Sequence, residues 1–314
     1  MSDVAIGVDV GGTKTLCLAL GDDGTVLASS RAPSRATSVD GLVDALARQV
    51  EDVAARCGVS ASAVPVGLGL AGMVASDGLF AFSPHLSGAS GANVGVLLAA
   101  ALERESVVVD NDANLAALAE GRWGAARGEA NYVMVTLGTG IGGGIVSEGR
   151  LLRGANGFAG EIGHMTLVAR GEACPCGGRG CWERYASGSA LTRLAREAAR
   201  EGRLDTAEFS SETTGEEVAA AAERGDASAR ALLEEMGWWL AAGLANLAAI
   251  LDTSCFVVGG GLSATTTHLL PSARLRLIEL TEGAVARPPL RVLDAALGPR
   301  GSAMGAALAA RKMK

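Results

Sequence analysis

The stretch that decides the fold is DVGGTK, residues 9–14, which ends a β-branched run at residues 4–10. Two more such runs follow at residues 15–20 and 25–29, with Gly-containing turns between them. Short β-branched runs separated by such turns are typical of hairpins. The opening of the chain therefore predicts an antiparallel meander of three strands.

The first turn has the composition of a phosphate site. Gly11 and Gly12 let a backbone approach a ligand closely, and consecutive N–H groups can surround an anion. Thr13 and Lys14 add a hydroxyl and a cation, and Asp9 stands where Mg²⁺ or its water shell would bind. An ordinary Gly-Gly hairpin explains the turn equally well, so the turn alone does not decide between the two.

A second Gly-rich turn repeats the arrangement. It reads LGTGIGGG at residues 137–144, between predicted strands at 132–137 and 145–147, and its candidate phosphate ligands are Gly138, Thr139 and Gly140. Neither this run nor GLGLAG at residues 67–72 opens a helix and places an acid about 20 residues later, as a dinucleotide fingerprint requires. A Walker A motif is absent. A phosphate loop between two strands is instead used by the actin-like ATPase fold, and its repetition indicates two related domains facing a cleft.

The remaining pattern is α/β, and 314 residues suffice for two domains. Apolar spacing and stop signals predict a mixture of helices and strands along the chain. The helices are at 38–56, 94–103, 113–123, 189–201, 214–224, 227–251 and 302–311, and the further strands are at 64–70, 106–109, 255–258 and 291–293. The strand at 255–258 ends in Gly259, Gly260 and Gly261, which either line a flat adenine or form a plain strand-to-helix turn.

Residues 110–114 read DNDAN, between a predicted strand and a predicted helix. A carboxylate at this junction could accept a proton from a sugar hydroxyl, and an amide beside it could fix the sugar. The alternative is that Asp112 or Asn111 only caps the helix.

A metal site is indicated by EIGH at residues 161–164 and CPCGGRGC at residues 174–181. His164, Cys174, Cys176 and Cys181 provide the four ligands usual for tetrahedral structural zinc, with no position left open for catalysis. Clustered cysteines in a cytosolic chain bind metal more often than they form disulfides. The isolated Cys17, Cys57 and Cys255 are interpreted as buried thiols.

Composition excludes several classes of protein. The hydrophobic fraction of 49% is too high for a disordered chain. A net charge of −7 argues against a nucleic-acid partner, which normally requires a basic patch. No signal peptide is predicted, and the apolar stretch at 238–251 is too short to span a bilayer. We therefore expect a soluble cytoplasmic protein without a membrane partner.

Together, and in this order, these motifs resemble those of the ROK family (repressors, open reading frames and sugar kinases), most closely its bacterial glucokinases. The resemblance extends from residue 5 to about residue 310 and rests on five motifs. These are DVGGTK, NDAN, LGTGIGGG, EIGH and CPCGGRGC followed by Glu183. It implies the actin-like ATPase (ribonuclease H-like) fold, a smaller N-terminal domain at 1–115 with residues 300–314 packing back on it, and a larger C-terminal domain at 116–299 carrying the zinc.

The resemblance also implies an activity, the ATP- and Mg²⁺-dependent phosphorylation of a hexose, most closely glucose, at its 6-hydroxyl. Asp112 looks like the general base. Asn111, Glu161, His164 and Glu183 look like sugar ligands, His164 having one ring nitrogen on zinc and the other near the sugar. The two Gly-rich turns would hold phosphates, and Gly259–Gly261 the adenosine. Family members are commonly homodimers or homotetramers.

One segment departs from the family pattern. Residues 83–90 read SPHLSGAS, with His85 where such glucokinases usually carry Asn and without the Trp that follows it. This leaves open a kinase for another hexose or an N-acetyl hexosamine, polyphosphate as the phosphate donor, or a sugar-binding regulator without catalysis. A repressor is not expected, because no basic helix precedes the first strand.

Overall fold

The computed structural model describes residues 4–34, 38–83, 86–204, 209–210, 212–262 and 267–312. These form two compact units. The first consists of Met1–Gly128, Gly144–Gly160 and Pro299–Lys314, and the second of Glu129–Gly143 and Glu161–Gly298. The domain boundary at residues 115/116 stays a prediction; residues 116–128 and 144–160 group with the first unit.

The first unit contains a five-stranded sheet in the order β3-β2-β1-β4-β7. Its strands are β1 Ala5–Val10, β2 Lys14–Leu20, β3 Val26–Pro33, β4 Val66–Leu70 and β7 Val108–Asn111. Strands β1, β2 and β3 pair antiparallel, which confirms the predicted meander. Strands β1, β4 and β7 pair parallel, so their carboxyl ends meet at one edge of the sheet.

The helices of the first unit pack on this sheet. They are α1 Val39–Arg56, α2 Val94–Ala101, α3 Asp112–Trp123 and α9 Gly301–Arg311, with a small hairpin of β5 Met73–Val74 and β6 Phe80–Phe82. The side chain of Ser38 caps α1, whose Leu42, Leu46 and Val50 enter the core. Helix α9 lies directly on the sheet because Gly7 and Gly67 present no side chain to the backbones of Ala303 and Ala306.

The second sheet has the order β10-β9-β8-β11-β12. Its strands are β8 Tyr132–Leu137, β9 Ile141–Ser147, β10 Arg150–Leu151, β11 Cys255–Gly259 and β12 Arg291–Asp294. Strands β9 and β10 are antiparallel, and β8, β11 and β12 are parallel. Both sheets therefore have the same order: three consecutive strands in reverse chain order, then two later strands. The duplicated turn predicts this repetition.

The helices of the second unit are α4 Glu183–Ala186, α5 Gly188–Arg200, α6 Gly215–Arg224, α7 Ala227–Leu251 and α8 Leu269–Leu280. Trp182 is fully buried against α7, where Gly243 leaves room for its ring. Within the described ranges, no helix combines the length and apolar character that crossing a membrane demands.

Three sequence predictions differ from the structure. The turn predicted at residues 138–144 is shorter, because β9 begins at Ile141. A Cβ at Gly144 would lie 2.7 Å from the Ala113 carbonyl of α3, so Gly144 permits close packing and is not part of a turn. The strand predicted to end at residue 109 continues to Asn111. Helix α8 was not predicted, because Pro271 argues against a helix in the sequence. In the structure Pro271 lies in the first turn of α8, where proline is tolerated.

Candidate functional site

The DVGGTK turn closes the β1–β2 hairpin in the first unit. The backbone N–H of Gly11 donates to the carbonyl of Lys14 at 3.1 Å, and Ser34 Oγ donates to the Gly11 carbonyl at 2.6 Å. Gly12, Thr13 and Lys14 are exposed. The turn is thus anchored at its base, and its outer N–H groups face solvent, as an anion-binding turn requires.

Asp9 lies on β1 directly before this turn. Ser302 Oγ of α9 donates to its Oδ1 at 2.8 Å. Burial raises the pKa of Asp9 to about 6, against the lowering effects of the Ser302 hydrogen bond and the positive charge of Lys14. Burial thus disfavours the charged form of Asp9, and the two lowering interactions offset this only in part. A carboxylate of this kind is typical of a functional site, because a bound cation would stabilise its charged form.

Acidic residues from two strands lie at the same level of the first sheet. Asp9 on β1 aligns with Gly69 on β4, and Gly69 aligns with Asp110 on β7. Asn111 and Asp112 follow directly, at the edge where the parallel strands end. Ligands of open α/β sheets bind at this edge.

Asn111 caps helix α3. Its Oδ1 accepts from the N–H groups of Ala113 and Asn114 at 2.9 and 3.1 Å, and its Nδ2 donates to the carbonyl of Gly72 at 3.0 Å. The capping interpretation of the DNDAN run is therefore confirmed for Asn111. One N–H of its amide is not used by these bonds, so a role in sugar binding stays a prediction.

Asp112 is the first residue of α3 and is half-buried. The Ala113 N–H donates to its Oδ1 at 2.9 Å. The dipole of a helix favours a negative charge in this first turn. The cap is on Asn111, so the carboxylate of Asp112 is not required for it.

In the second unit, the turn at 138–140 is held by helix α5. Gly188 N–H donates to the Gly138 carbonyl at 2.8 Å, and Ser189 N–H to that of Thr139 at 3.3 Å. No described atom lies within 4 Å of a Cβ placed on Gly138. The backbone there is fixed from one side and open on the other.

The glycines after β11 have different surroundings. Gly260 has φ +97° and packs against the backbone of Leu137, whose carbonyl accepts from Leu262 N–H at 3.0 Å. Among the described atoms none lies within 4 Å of a Cβ placed on Gly261. Gly260 is thus required by local packing, whereas the described part of the chain places no atom near a Cβ on Gly261.

The four predicted metal ligands converge in the second unit. One ligand atom each of His164, Cys174, Cys176 and Cys181 lies within 4.8 Å of all the others. Cys176 Sγ is 3.6 Å from Cys181 Sγ, and Cys174 Sγ is 3.9 Å from His164 Nδ1. Tetrahedral zinc with Zn–S bonds of ~2.3 Å separates its ligand atoms by about 3.7 Å, so the donor set fits the ion.

Two carboxylates flank His164. Its Nδ1, on the cysteine side, is 3.6 Å from Glu183 Oε1, and its Nε2 is 3.9 Å from Glu161 Oε2. Burial raises the pKa of Glu161, His164 lowers it, and Glu183 raises it. The ring therefore has Nδ1 on the side of the cysteines and Nε2 on the side of Glu161. The predicted roles of the two nitrogens, one on zinc and the other near the sugar, stay a prediction.

Glu183 connects two of the predicted features. Cys174 Sγ donates to its Oε1 at 3.1 Å. A Cβ on Gly140 would come to 2.5 Å from its Oε2. The carboxylate thus lies between the metal cluster and the 138–140 turn, a proximity that the sequence separation of 43 positions conceals.

Two predictions concern other residues. Cys17 and Cys255 are fully buried, as expected, but Cys57 is only half-buried at the end of α1, where the helix leaves the core. His85 lies outside the described residues.

Sequence reasoning missed Arg153. Its guanidinium binds Asp110, with Nε and Nη2 at 2.9 and 2.8 Å from Oδ2. Arg153 stands in a loop after β10, where no local pattern marks it as a member of the site.

Comparison with known proteins supports the family resemblance. The family model described as "ROK family" matches residues 5–313. A glucokinase of Streptomyces coelicolor is 36% identical over 98% of both chains. An N-acetyl-D-glucosamine kinase of Shigella flexneri serotype 5b is 34% identical over 87% of this chain and 92% of its own.

A solved structure extends the likeness to the fold. The ROK family glucokinase from Streptomyces griseus, crystallised in complex with glucose and AMPPNP, superposes with a TM-score of 0.87 at 35% identity, over 98% of this chain and 99% of that chain. The predicted actin-like ATPase fold is confirmed by this likeness. Both the family model and the nearly full-length relatives lead to one conclusion: this chain belongs to the ROK family.

Proposed function

We propose that this chain is a hexose kinase that transfers the γ-phosphoryl group of ATP to the 6-hydroxyl of glucose, giving glucose 6-phosphate and ADP. The S. coelicolor relative is named a glucokinase, and the S. griseus structure holds glucose and AMPPNP. The observation that carries the proposal is the position of Asp112 at the carboxyl edge of the first sheet, with Asn111 and not Asp112 serving as the helix cap.

In the proposed reaction, Asp112 accepts the proton of the 6-hydroxyl while that oxygen attacks the γ-phosphorus and the bond to the ADP oxygen breaks. A general base of this kind contributes typically 10²–10⁴-fold. The rest of the work is positioning and charge neutralisation. The hydroxyl ligands of the sugar are Asn111, Glu161, His164 and Glu183.

The nucleotide is held mainly by backbone. The turns at Asp9–Lys14 and Gly138–Gly140 offer N–H groups to the phosphates, and Gly259–Gly261 line the adenosine. Asp9 would hold Mg²⁺ or its water shell, and a bound ion there would supply neutralisation of the phosphate charge.

A structural zinc ion belongs to this proposal. His164, Cys174, Cys176 and Cys181 would bind it, and all four are protein ligands, so the ion supplies structure and leaves no position for catalysis. Its binding would fix the His164 ring, with Nε2 directed to the sugar side. Elemental analysis of purified protein should find about one zinc per chain.

The test of the main proposal is ATP-dependent phosphorylation of a panel of hexoses and N-acetyl hexosamines, compared by kcat/KM, with polyphosphate as a second donor. We expect glucose and ATP to be preferred. Asp112→Ala should lose turnover by ~10²–10⁴-fold while sugar binding persists. Asp40→Ala, another acid in the first turn of a helix, is the control. Unchanged turnover of Asp112→Ala would exclude its role as base.

A second candidate substrate is N-acetyl-D-glucosamine. The Shigella relative is named as its kinase at 34% identity, and residues 83–90 depart from the glucokinase pattern. Preference for this sugar in the panel would keep the mechanism and replace the substrate. Binding of sugar without turnover would favour a sugar-binding regulator.

We also propose that the enzyme is cytoplasmic and forms homodimers or homotetramers. These assignments follow from the family resemblance. Light scattering after size-exclusion chromatography would measure the oligomeric state. A measured mass equal to that of one chain, 31.5 kDa, would overturn the proposed oligomer.

A further inference from the structure

The carboxylate of Asp110 is the most heavily bonded side chain at the edge of the first sheet. It is 6% exposed. Its Oδ1 accepts from Asn111 N–H at 2.8 Å and from Asn114 Nδ2 at 2.9 Å. Its Oδ2 accepts from Arg153 Nε at 2.9 Å, and Arg153 Nη2 lies 2.8 Å from the same oxygen in an ion pair. Three described hydrogen bonds and this ion pair thus hold both oxygens of the carboxylate.

Such a group is costly unless it is fully paired. The Asp110 carboxylate is buried while the Arg153 side chain is 47% exposed. Removing Arg153 would therefore leave a buried carboxylate without its cation, and its desolvation penalty would be uncompensated. Arg153 approaches with two donors of its planar fork, an arrangement that the single ammonium of lysine does not reproduce. The identity of residue 153 as arginine is therefore part of the geometry of this site.

Asp110 binds residues on both sides of the proposed base in the sequence. Asn111 and Asn114 lie on either side of Asp112, and Asp110 binds both. Asn111 in turn caps α3 and binds the Gly72 carbonyl. Bonds that converge on Asp110 thus fix the junction between β7 and α3. Asp112 lies at this junction, so the same bonds fix its backbone.

Charge at this edge supports the same conclusion. Asp9 and Asp110 lie at one level of the sheet, on either side of Gly69, and Asp112 follows two residues later. Three carboxylates at this edge would repel a polyanionic nucleotide and one another. Arg153 neutralises the one that has no part in the proposed chemistry.

We propose that Arg153 is a positioning residue for phosphoryl transfer: by binding Asp110 it fixes the β7–α3 junction and with it the carboxylate of Asp112. This inference rests on the proposed function, in which Asp112 is the base. It assigns a role to a loop residue that touches neither the proposed base nor the Gly-rich turns through any described bond.

The experiment compares Arg153→Met, Arg153→Lys and the control Arg150→Met, an exposed arginine on the neighbouring β10. Misplacing a catalytic group by about 1 Å costs ~10²-fold. We expect Arg153→Met to lower kcat by about 10- to 100-fold with KM for ATP changed by less than about two-fold. Arg153→Lys should recover part of kcat, and Arg150→Met should match the wild type.

A second variant covers the case in which Arg153→Met does not fold. Asp110→Asn/Arg153→Met removes the unpaired charge while an amide oxygen can still accept from Asn111 and Asn114. We expect its Tm to return toward that of the wild type and its kcat to stay reduced, because the fork is still missing. Full recovery of kcat would mean that Arg153 only neutralises charge, and would overturn the positioning role.

The outcomes separate this inference from the function on which it rests. Active wild type with a folded Arg153→Met variant of unchanged kcat overturns the inference alone. Wild type without turnover on any sugar overturns the proposed function and the inference together.

Discussion

At the scale of residues, Asp9 shows a conflict between stability and function. Burial raises its pKa to about 6, so near neutral pH the folded protein contains a charge that its surroundings disfavour. Ser302 and Lys14 offset only part of the cost. Such a residue persists where a ligand supplies the missing partner, and the proposed Mg²⁺ is a ligand of that kind.

The first prediction is that Asp9→Asn stabilises the free protein. Between pH 3.8 and about 6 the native carboxyl keeps a proton that the unfolded chain has released, so the free energy of unfolding of the wild type falls as pH rises through this window. Asp9→Asn has no carboxyl group to ionise, so its free energy of unfolding does not fall in this window. At pH 7 it should exceed that of the wild type by up to about 3 kcal/mol. Urea titrations at pH 4 and pH 7 measure it.

The same variant should lose kinase activity, because an amide cannot replace a carboxylate beside Mg²⁺. In the wild type, kcat/KM for ATP should decline as pH falls through about 6, where Asp9 becomes protonated. Equal stability of Asp9→Asn and wild type at pH 7 would contradict the argument from burial.

The second prediction concerns Gly140. A methyl group there would meet Glu183 Oε2 at 2.5 Å and displace this carboxylate, which is a proposed sugar ligand. Gly140→Ala should therefore raise KM for sugar by about 10-fold, the effect of a lost charged hydrogen bond. Gly138→Ala, in the same turn but without a described neighbour, should change the sugar KM much less. Equal effects of the two variants on this constant would count against the proximity argument.

At the scale of elements, the C-terminal helix shows how glycine serves packing. Helix α9 lies on β1 and β4 so closely that side chains at Gly7 and Gly67 would overlap its backbone. The small residues of α9, Ala303, Ala306 and Ala307, are fully buried. Gly7 and Gly67 are thus explained by the approach of a helix that follows them by more than 200 residues in the chain.

The third prediction is that Gly67→Ala destabilises the protein by about 1–3 kcal/mol, the usual cost of overpacking. Backbone atoms of Ala306 are the obstacle, and they cannot rotate away as a side chain can. Gly261→Ala is the matched control, because no described atom lies near its Cβ and its φ is ordinary. Thermal unfolding measures both, and a Tm of Gly67→Ala equal to that of the control would refute the packing argument.

Elements were predictable where a local pattern defined them. Helix α7 has its predicted bounds, since a 25-residue run without Pro and rich in Ala and Leu begins after the cap Asp226. Strand β9 was predicted four residues too late because Gly142, Gly143 and Gly144 read locally as a turn. Gly144 lies instead in the strand, where the backbone of α3 leaves no room for a side chain. Strand β7 was ended two residues early because polar Asp110 reads as a loop, and only its bonds to Arg153 and Asn114 explain it inside a sheet.

At the scale of the whole molecule, the proposed zinc joins distant parts of the second unit. The ligand from residue 164 and those from residues 174–181 surround one point, and Glu183 extends the cluster to Gly140. A structural metal contributes its binding free energy to folding. Its loss should therefore affect stability and sugar binding together.

The fourth prediction is that Cys176→Ala loses zinc, lowers Tm by several degrees and weakens sugar binding, since about 1 kcal/mol shifts Tm by roughly 2–4 °C in a chain of this size class. Cys57→Ala is the control, a half-buried cysteine outside the cluster. Metal analysis, thermal unfolding and sugar titration provide the three readouts. Retained zinc with unchanged Tm in Cys176→Ala would argue against the site.

By itself the sequence determined the duplicated strand-turn-strand plan, the two Gly-rich turns, the group of His164 and three cysteines that come together, and the DNDAN junction. Each is written in short stretches of sequence whose local chemistry is specific. Only the tertiary structure decided that Asn111 is the cap, that Glu183 reaches Gly140, that Ser302 binds Asp9 and that Arg153 binds Asp110. These contacts join residues from 2 to 293 positions apart through turns and packed helices. For the cap, local preference allowed both Asn111 and Asp112, and only the fold decided between them. For the pairs 43 or more positions apart, local propensity carries no information, since their hydrogen bonds and close contacts exist only once the chain has folded.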